Sequence, residues 1–212
     1  MRFTKSYKFK FIAFISFFII LISVITTMVA INNIKSTAFS VFSSQGESLV
    51  KRALYKIDAD RFSELAETLD ESHPYYKELY QELRIIKSQT QCKFLYTMVP
   101  NGGNNFTYIV DGSTTPVDTD NFSPIGTVED LSSYGEYPHI VLQEKEIVIS
   151  DFKKQKDWGW LITAYAPIIK DNNAIGFVAC DFDAVAILKL IEQSQITMSI
   201  CCLALFIICI GI

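Results

Sequence analysis

Apolar residues crowd into two uninterrupted blocks, and between these blocks they recur in two different rhythms. The first block, FIAFISFFIILISVITTMVAI (11–31), has 21 residues without a charge. As a helix at ~1.5 Å per residue it reaches about 31 Å, enough to cross a bilayer. Its apolar core is longer than the ~7–15 residues of a secretory signal, and no small-x-small cleavage site follows, so it reads as an uncleaved anchor. The second block, ITMSICCLALFIICIGI (196–212), has 17 uncharged residues. A span needs about 20, which predicts a membrane helix that continues past Ile212.

Between the blocks the rhythm is first helical. Val41, Phe42, Leu49, Val50 and Leu54 recur at helical spacing with Gly46 as the one breaker, which predicts a long helix running on from the first block. DADRFSELAETLD (58–70) and SHPYYKELYQELRIIKSQ (72–89) predict two more helices, the latter with Pro74 in its first turn, where a missing N–H does no harm. After Gln91 β-branched and aromatic residues take over. KFLYTMV (93–99), FTYIVDG (106–112), EIVIS (146–150), WGWLITAYAPI (158–168) and AIGFVACDF (174–182) read as strands separated by PNGGNN, DWG and KDNN. VLQEK (141–145) is expected to pair with EIVIS as a short flap. A last helix starts at Ala184 and runs into the second block.

Helices followed by about five strands on short turns predict an α+β domain: a long N-terminal helix on an antiparallel sheet, flanked by two transmembrane helices. The expected division is a cytoplasmic arm (1–10), a first span (11–31), an extracytoplasmic domain (32–195) and a second span (196–212). Charge sets the orientation. The arm holds Arg2, Lys5, Lys8 and Lys10 and no acid, which places it in the cytoplasm. Of 19 basic residues the remaining 15 face 23 acids, so the rest of the chain is net −8 and is not expected to bind nucleic acid. With helices entering and leaving membrane spans at both ends, a shift of the last strand against the first helix would move one span relative to the other.

Cys201, Cys202 and Cys209 behave as small apolar residues of the second span. Cys92 and Cys180 lie in the oxidising outside segment at strand ends, and the sequence leaves open whether they form a disulfide or stay buried thiols. No Cys/His cluster supports zinc. DTDN (118–121) lacks the glycine and closing glutamate of a calcium loop, so no metal and no cofactor are expected. His73 and His139 sit on a helix start and in a loop, away from the strand acids, and the chain is not expected to be an enzyme.

Asp181 and Asp183, two apart at the end of the last strand, are the acids most costly to place. Asp183 immediately precedes AVAIL and fits the cap of the final helix. From Phe94 to Glu144 six acids (Asp111, Asp118, Asp120, Glu129, Asp130, Glu136) precede Glu144 with no base, which fits either an amine-bearing ligand or a solvated acidic loop. Tyr96, Tyr108, Trp158, Trp160 and Tyr165 lie on strands, where aromatics build cores or wall a small-molecule pocket. An odd separation sends Trp160 and Tyr165 to opposite faces, so at most one lines a pocket unless a bulge intervenes.

The pairing of YAPI with GFVACDFDA below a long membrane-proximal helix resembles the Cache sensor domain, a PAS-like fold used outside the membrane. IDADRFSEL, HPYYKEL, CKFLYTM, YIVDGS, FSPIGT, DWGWL and CDFDA follow in the order seen in bacterial methyl-accepting chemotaxis receptors, across about residues 45–185. The resemblance implies a small-molecule ligand, a homodimer, and an inner-membrane receptor with its sensor outside. It is weaker for the output module: the same sensor fronts histidine kinases and diguanylate cyclases, and a membrane-anchored enzyme or adhesin is the reading from another class. In the amino-acid-binding branch of that family, the acid at the position of Asp181 holds the ligand's ammonium. The arginine that would clamp a carboxylate has no counterpart here, since no Arg follows Arg84, which tells against a free α-amino acid. The expected ligand-binding set is Tyr96, Tyr108, Asp111, Trp160, Tyr165 and Asp181, between the sheet and the loops of 112–145.

Overall fold

A computed structural model describes residues 3–113, 122–155 and 158–211. Arg2 of the arm, and Asp118 and Asp120 of the DTDN stretch, lie outside the described residues. Two compact units divide the chain: Ser40–Val185, and Met1–Phe39 with Ala186–Ile212. The helices are α1 (Phe3–Leu54), α2 (Ala59–Thr68), α3 (Pro74–Ser88), α4 (Tyr137–Glu144) and α5 (Val185–Gly211). The strands are β1 (Phe94–Pro100), β2 (Asn105–Asp111), β3 (Val128–Asp130), β4 (Val148–Ile149), β5 (Lys153–Gln155), β6 (Gly159–Lys170) and β7 (Asn173–Asp183).

In the unit of Met1–Phe39 and Ala186–Ile212, apolar side chains such as Phe11, Phe14, Ile22, Ile200 and Leu203 are exposed. Two helices are long and apolar enough to cross a membrane, over Lys10–Leu54 and Val185–Ala204. Helices apolar on all sides suit lipid better than water.

The other unit is the α+β architecture the pattern predicts. The strands run in the order β3-β2-β1-β7-β6-β4, with β5 also on β6, and every pairing is antiparallel. The sheet thus has seven strands among the described residues rather than about five, because two short pieces at its edges, β3 and β5, each pair over three residues, while β4 is the middle of the expected EIVIS strand. The long β6–β7 hairpin turns on Asp171 and Asn172, both at positive φ (48° and 63°), the geometry of a two-residue turn that matches strand twist. VLQEK is not a flap strand. Pro138 in the first turn starts α4 there, and Lys145 in the left-handed region ends it.

Local chemistry fixes the helices on one face. Asp58 caps α2 by accepting from the amides of Asp60 and Arg61, and His73 Nδ1 accepts from the Tyr75 amide at the start of α3. Gly46 does not break α1. A Cβ there would lie 2.7 Å from Ala164 Cβ, so the glycine lets the helix settle onto β6. Beside it the Phe42 and Phe182 rings are 5.4 Å apart, and Val50 and Ala53 are buried. Cys180 lies under this contact, and both it and Cys92 are buried free thiols. The opposite face of the sheet is covered by α4 and a 3₁₀ turn at Leu131–Tyr134, over an apolar cluster that includes Tyr96, Tyr108, Tyr134, Tyr165 and Phe177.

Candidate ligand-binding site

Strand register assembles the site on this second face. Phe94 of β1 and Thr163 of β6 both stand opposite Asp181 of β7, one on each side. One row along, Tyr96 and Tyr165 flank Ala179 in the same way. A register shift between Thr97 and Met98 then sets Asp111 against Tyr96 and Tyr108 against Met98. That irregularity brings Asp111 and Tyr108 to one side although they are three residues apart.

Four of the six expected residues, Tyr96, Tyr108, Asp111 and Asp181, line one small cleft, together with Phe94, Ser123, Tyr134 and Trp158. Its free space is about 10 Å³, room for about one water. Tyr165 lies fully buried beside Thr163 and Asp181. Trp160 is not brought here. It alternates with Leu161 and Thr163 onto the side of Ile162 and Ala164 and is 38% exposed. Trp158, just before β6, takes the place at the cleft, its ring edge-on to Phe94 at 4.9 Å.

Asp181 is 1% exposed and meets neutral donors. The Thr163 hydroxyl donates to Oδ1 at 2.6 Å, and the Tyr96 hydroxyl also bonds the carboxyl. Burial, above all, pushes the carboxyl up to about 7, and the negative charge of Glu129 adds to this. The two hydroxyls and the more remote Lys93 pull the other way. Lys93 directs its ammonium to the Trp158 carbonyl at 2.8 Å. Among the described residues Asp181 forms no ion pair.

Glu129 closes the rim. It accepts from the Tyr108 hydroxyl at 2.6 Å and from the Trp158 indole at 3.2 Å. Asp111 is committed to the chain: it accepts from the amides of Ser113 and Ser123, tying together the two ends of the segment between them. Burial raises its carboxyl too. Burial likewise lifts the phenols of Tyr96, Tyr108, Tyr134 and Tyr165, so all four stay neutral donors. Asp183, exposed at the end of β7, accepts from the Val185 amide at 2.7 Å and so stands at the start of α5. Among the described residues no group of three or more His, Cys, Asp or Glu is placed to hold a metal ion.

Acids and aromatic faces without an arginine make a lining suited to a cation, which gains from the carboxylates and from the rings together. The expected set leaves out Phe94, Ser123, Thr163 and Tyr134, and Glu129 and Trp158 stand outside it as an acid and an aromatic that could serve a ligand. Thr163 was legible, lying two residues before Tyr165 on the same face of β6. Glu129 and Tyr134 come from a stretch with neither strand nor helix periodicity.

Sensor domains of bacterial receptors are among the solved structures to which this chain is similar. The sensory domain of the Campylobacter jejuni chemoreceptor Tlp3 with isoleucine bound is 13% identical, with 76% of this chain and 59% of that chain covered at a TM-score of 0.45. The sensor domain of the V. cholerae histidine kinase DctB is 16% identical, with 80% and 60% covered at a TM-score of 0.47. This chain therefore spans 59% and 60% of the length of those two. No family model matches the chain, and no curated protein does.

Proposed function

We propose that this chain is the sensory and membrane-spanning portion of a bacterial chemoreceptor, and that its Ser40–Val185 unit binds a small amine-bearing molecule outside the membrane. The observation that carries this reading is the Asp181 carboxyl, fully buried among aromatic rings with hydroxyl donors and, among the described residues, no cationic partner. A buried acid without a counter-charge is costly, and an ammonium supplies what it lacks. Tyr96, Tyr108, Tyr134 and Trp158 give that ammonium aromatic walls, and Glu129 gives it a second acid. The absence of any Arg after Arg84 disfavours ligands that need a carboxylate clamp.

The apolar parts of α1 and α5 are assigned as the two spans, with the basic arm in the cytoplasm and residues 32–195 outside. The receptor acts as a homodimer in the inner membrane and binds without turnover. Ligand capture at Asp181 is passed along β7 to Asp183 and so into α5. It shifts the receptor between two states only as far as the ligand prefers one of them.

Thermal unfolding of the full chain in detergent tests this against primary amines, carboxylic acids and purines. A ligand that binds only the folded form raises the melting temperature. Amines should stabilise the wild type and leave Asp181→Asn unmoved. Stabilisation by carboxylic acids or purines but by no amine would sink the proposal.

A further inference from the structure

We infer that the proton and the ligand's ammonium are alternative partners of Asp181, so that each cation captured displaces one proton and the receptor reads amine concentration against acidity. The inference rests on the amine reading above and adds its regulation.

The geometry leaves the carboxyl few choices. Among the described residues the groups bonded to it are neutral hydroxyls, from Thr163 on β6 and Tyr96 on β1. Tyr165 on β6 and Tyr134 on the 3₁₀ turn add only neutral phenols. On the β2–β3 side the charged neighbours are acids: Glu129 at the rim, and Asp111 lining the same cleft. Lys93, the one base among the described neighbours, spends its ammonium on the Trp158 carbonyl. Behind the sheet Cys180 is a buried thiol whose own ionisation burial suppresses.

With about 10 Å³ free, the closed cleft holds no hydrated counter-ion, and it must open to admit an amine. A carboxyl so enclosed, beside a second acid, keeps its proton to higher pH than usual, and a fixed positive charge displaces it sooner. Burial and Glu129 together raise it to about 7, within the range a bacterium's surroundings span. Capture of R–NH₃⁺ then follows a balanced exchange: the carboxyl O–H breaks, its proton passes to water, and the carboxylate pairs with the ammonium, which keeps all its own hydrogens.

The test uses the full chain in detergent with ethanolamine and isobutylamine as probes, both protonated from about pH 5.5 to about pH 8.5. Below the bend, affinity should rise about tenfold per pH unit, then level off above it. Calorimetry in buffers of different ionisation heat should show about one proton released per amine on the acid side. Glu129→Gln should move the bend to lower pH, because it removes a charge that favours the neutral carboxyl. Infrared spectroscopy reads the proton with no ligand present: a protonated-carboxyl band in the wild type at mildly acid pH, absent from Asp181→Asn. Amine binding with a flat pH profile, or the lack of that band, would overturn the exchange and leave amine sensing standing. No amine binding at any pH overturns both.

Discussion

Thr163 and Asp181 stand opposite each other on β6 and β7, and the threonine hydroxyl donates to Asp181 Oδ1 over 2.6 Å in a region closed to solvent. Thr163→Val keeps the shape and removes the donor. A hydrogen bond to a charged group contributes about 1.5–3 kcal/mol, so well above pH 7, where the carboxyl is ionised, the variant should lose stability of that order. At mildly acid pH, where the carboxyl is neutral, the loss should shrink toward about 1 kcal/mol. Denaturant titrations at the two pH values measure the difference. An equal loss at both would mean that the hydroxyl serves packing alone.

Asp181 also sets a pH dependence of folding. Its folded value, about 7, lies above the ordinary 3.8, so the folded state holds a proton that the unfolded state has released. The stability this contributes is full below about pH 4 and is lost as pH rises through about 7. The raised Asp111 acts in the same direction. Between these limits the wild type should lose on the order of a few kcal/mol relative to Asp181→Asn. The quantity to follow is that difference, since other groups titrate in both proteins. A wild-type stability that rose with pH relative to Asp181→Asn would contradict the raised carboxyl.

Gly46 and Ala164 meet where α1 rests on β6. Replacing Gly46 by alanine improves helix propensity by about 1 kcal/mol, but the new Cβ would sit 2.7 Å from Ala164 Cβ. Overpacking of this kind costs about 1–3 kcal/mol, so the net change should be a loss. Ala164→Gly in the same chain should restore part of it, with a coupling of about 0.5–3 kcal/mol between the two sites. Chemical denaturation of both single variants and the double variant checks this, and additive effects would place the helix elsewhere.

How much of this was legible follows from what each feature depends on. Periodicity reaches the long elements: α1, α3, β1, β2, β6 and β7 fall where the apolar rhythm places them, and KDNN holds the two positive-φ residues of the β6–β7 turn. It reaches β4 as the middle of EIVIS but does not reach β3 and β5, which are too short to show alternation and exist only because a neighbouring strand offers free backbone groups. VLQEK misleads because its residues suit a strand edge, while Pro138 and the turn at Lys145 decide for a helix. In the site, Asp181, Tyr96, Tyr108 and Asp111 stand out as polar or aromatic residues inside strands. The choice between Trp158 and Trp160 turned on whether the first lies before the strand, which alternation cannot tell. Glu129 reaches the cleft through a tertiary contact that no local pattern encodes.

Asp183 separates transmission from capture. It is exposed, accepts the Val185 amide at 2.7 Å, and does not line the cleft that holds Asp181. Removing a hydrogen bond of this kind costs about 0.5–1.5 kcal/mol. Asp183→Ala should therefore speed hydrogen exchange at Val185 and loosen the first turn of α5 while amine affinity stays at the wild-type level. Asp181→Ala should do the reverse, abolishing amine binding with the Val185 amide still protected. Calorimetric titration and amide exchange on the same two variants decide the matter. If Asp183→Ala loses the amine and Asp181→Ala retains it, the assignment of the two aspartates is inverted, and the cleft behind Thr163 is not where the ligand binds.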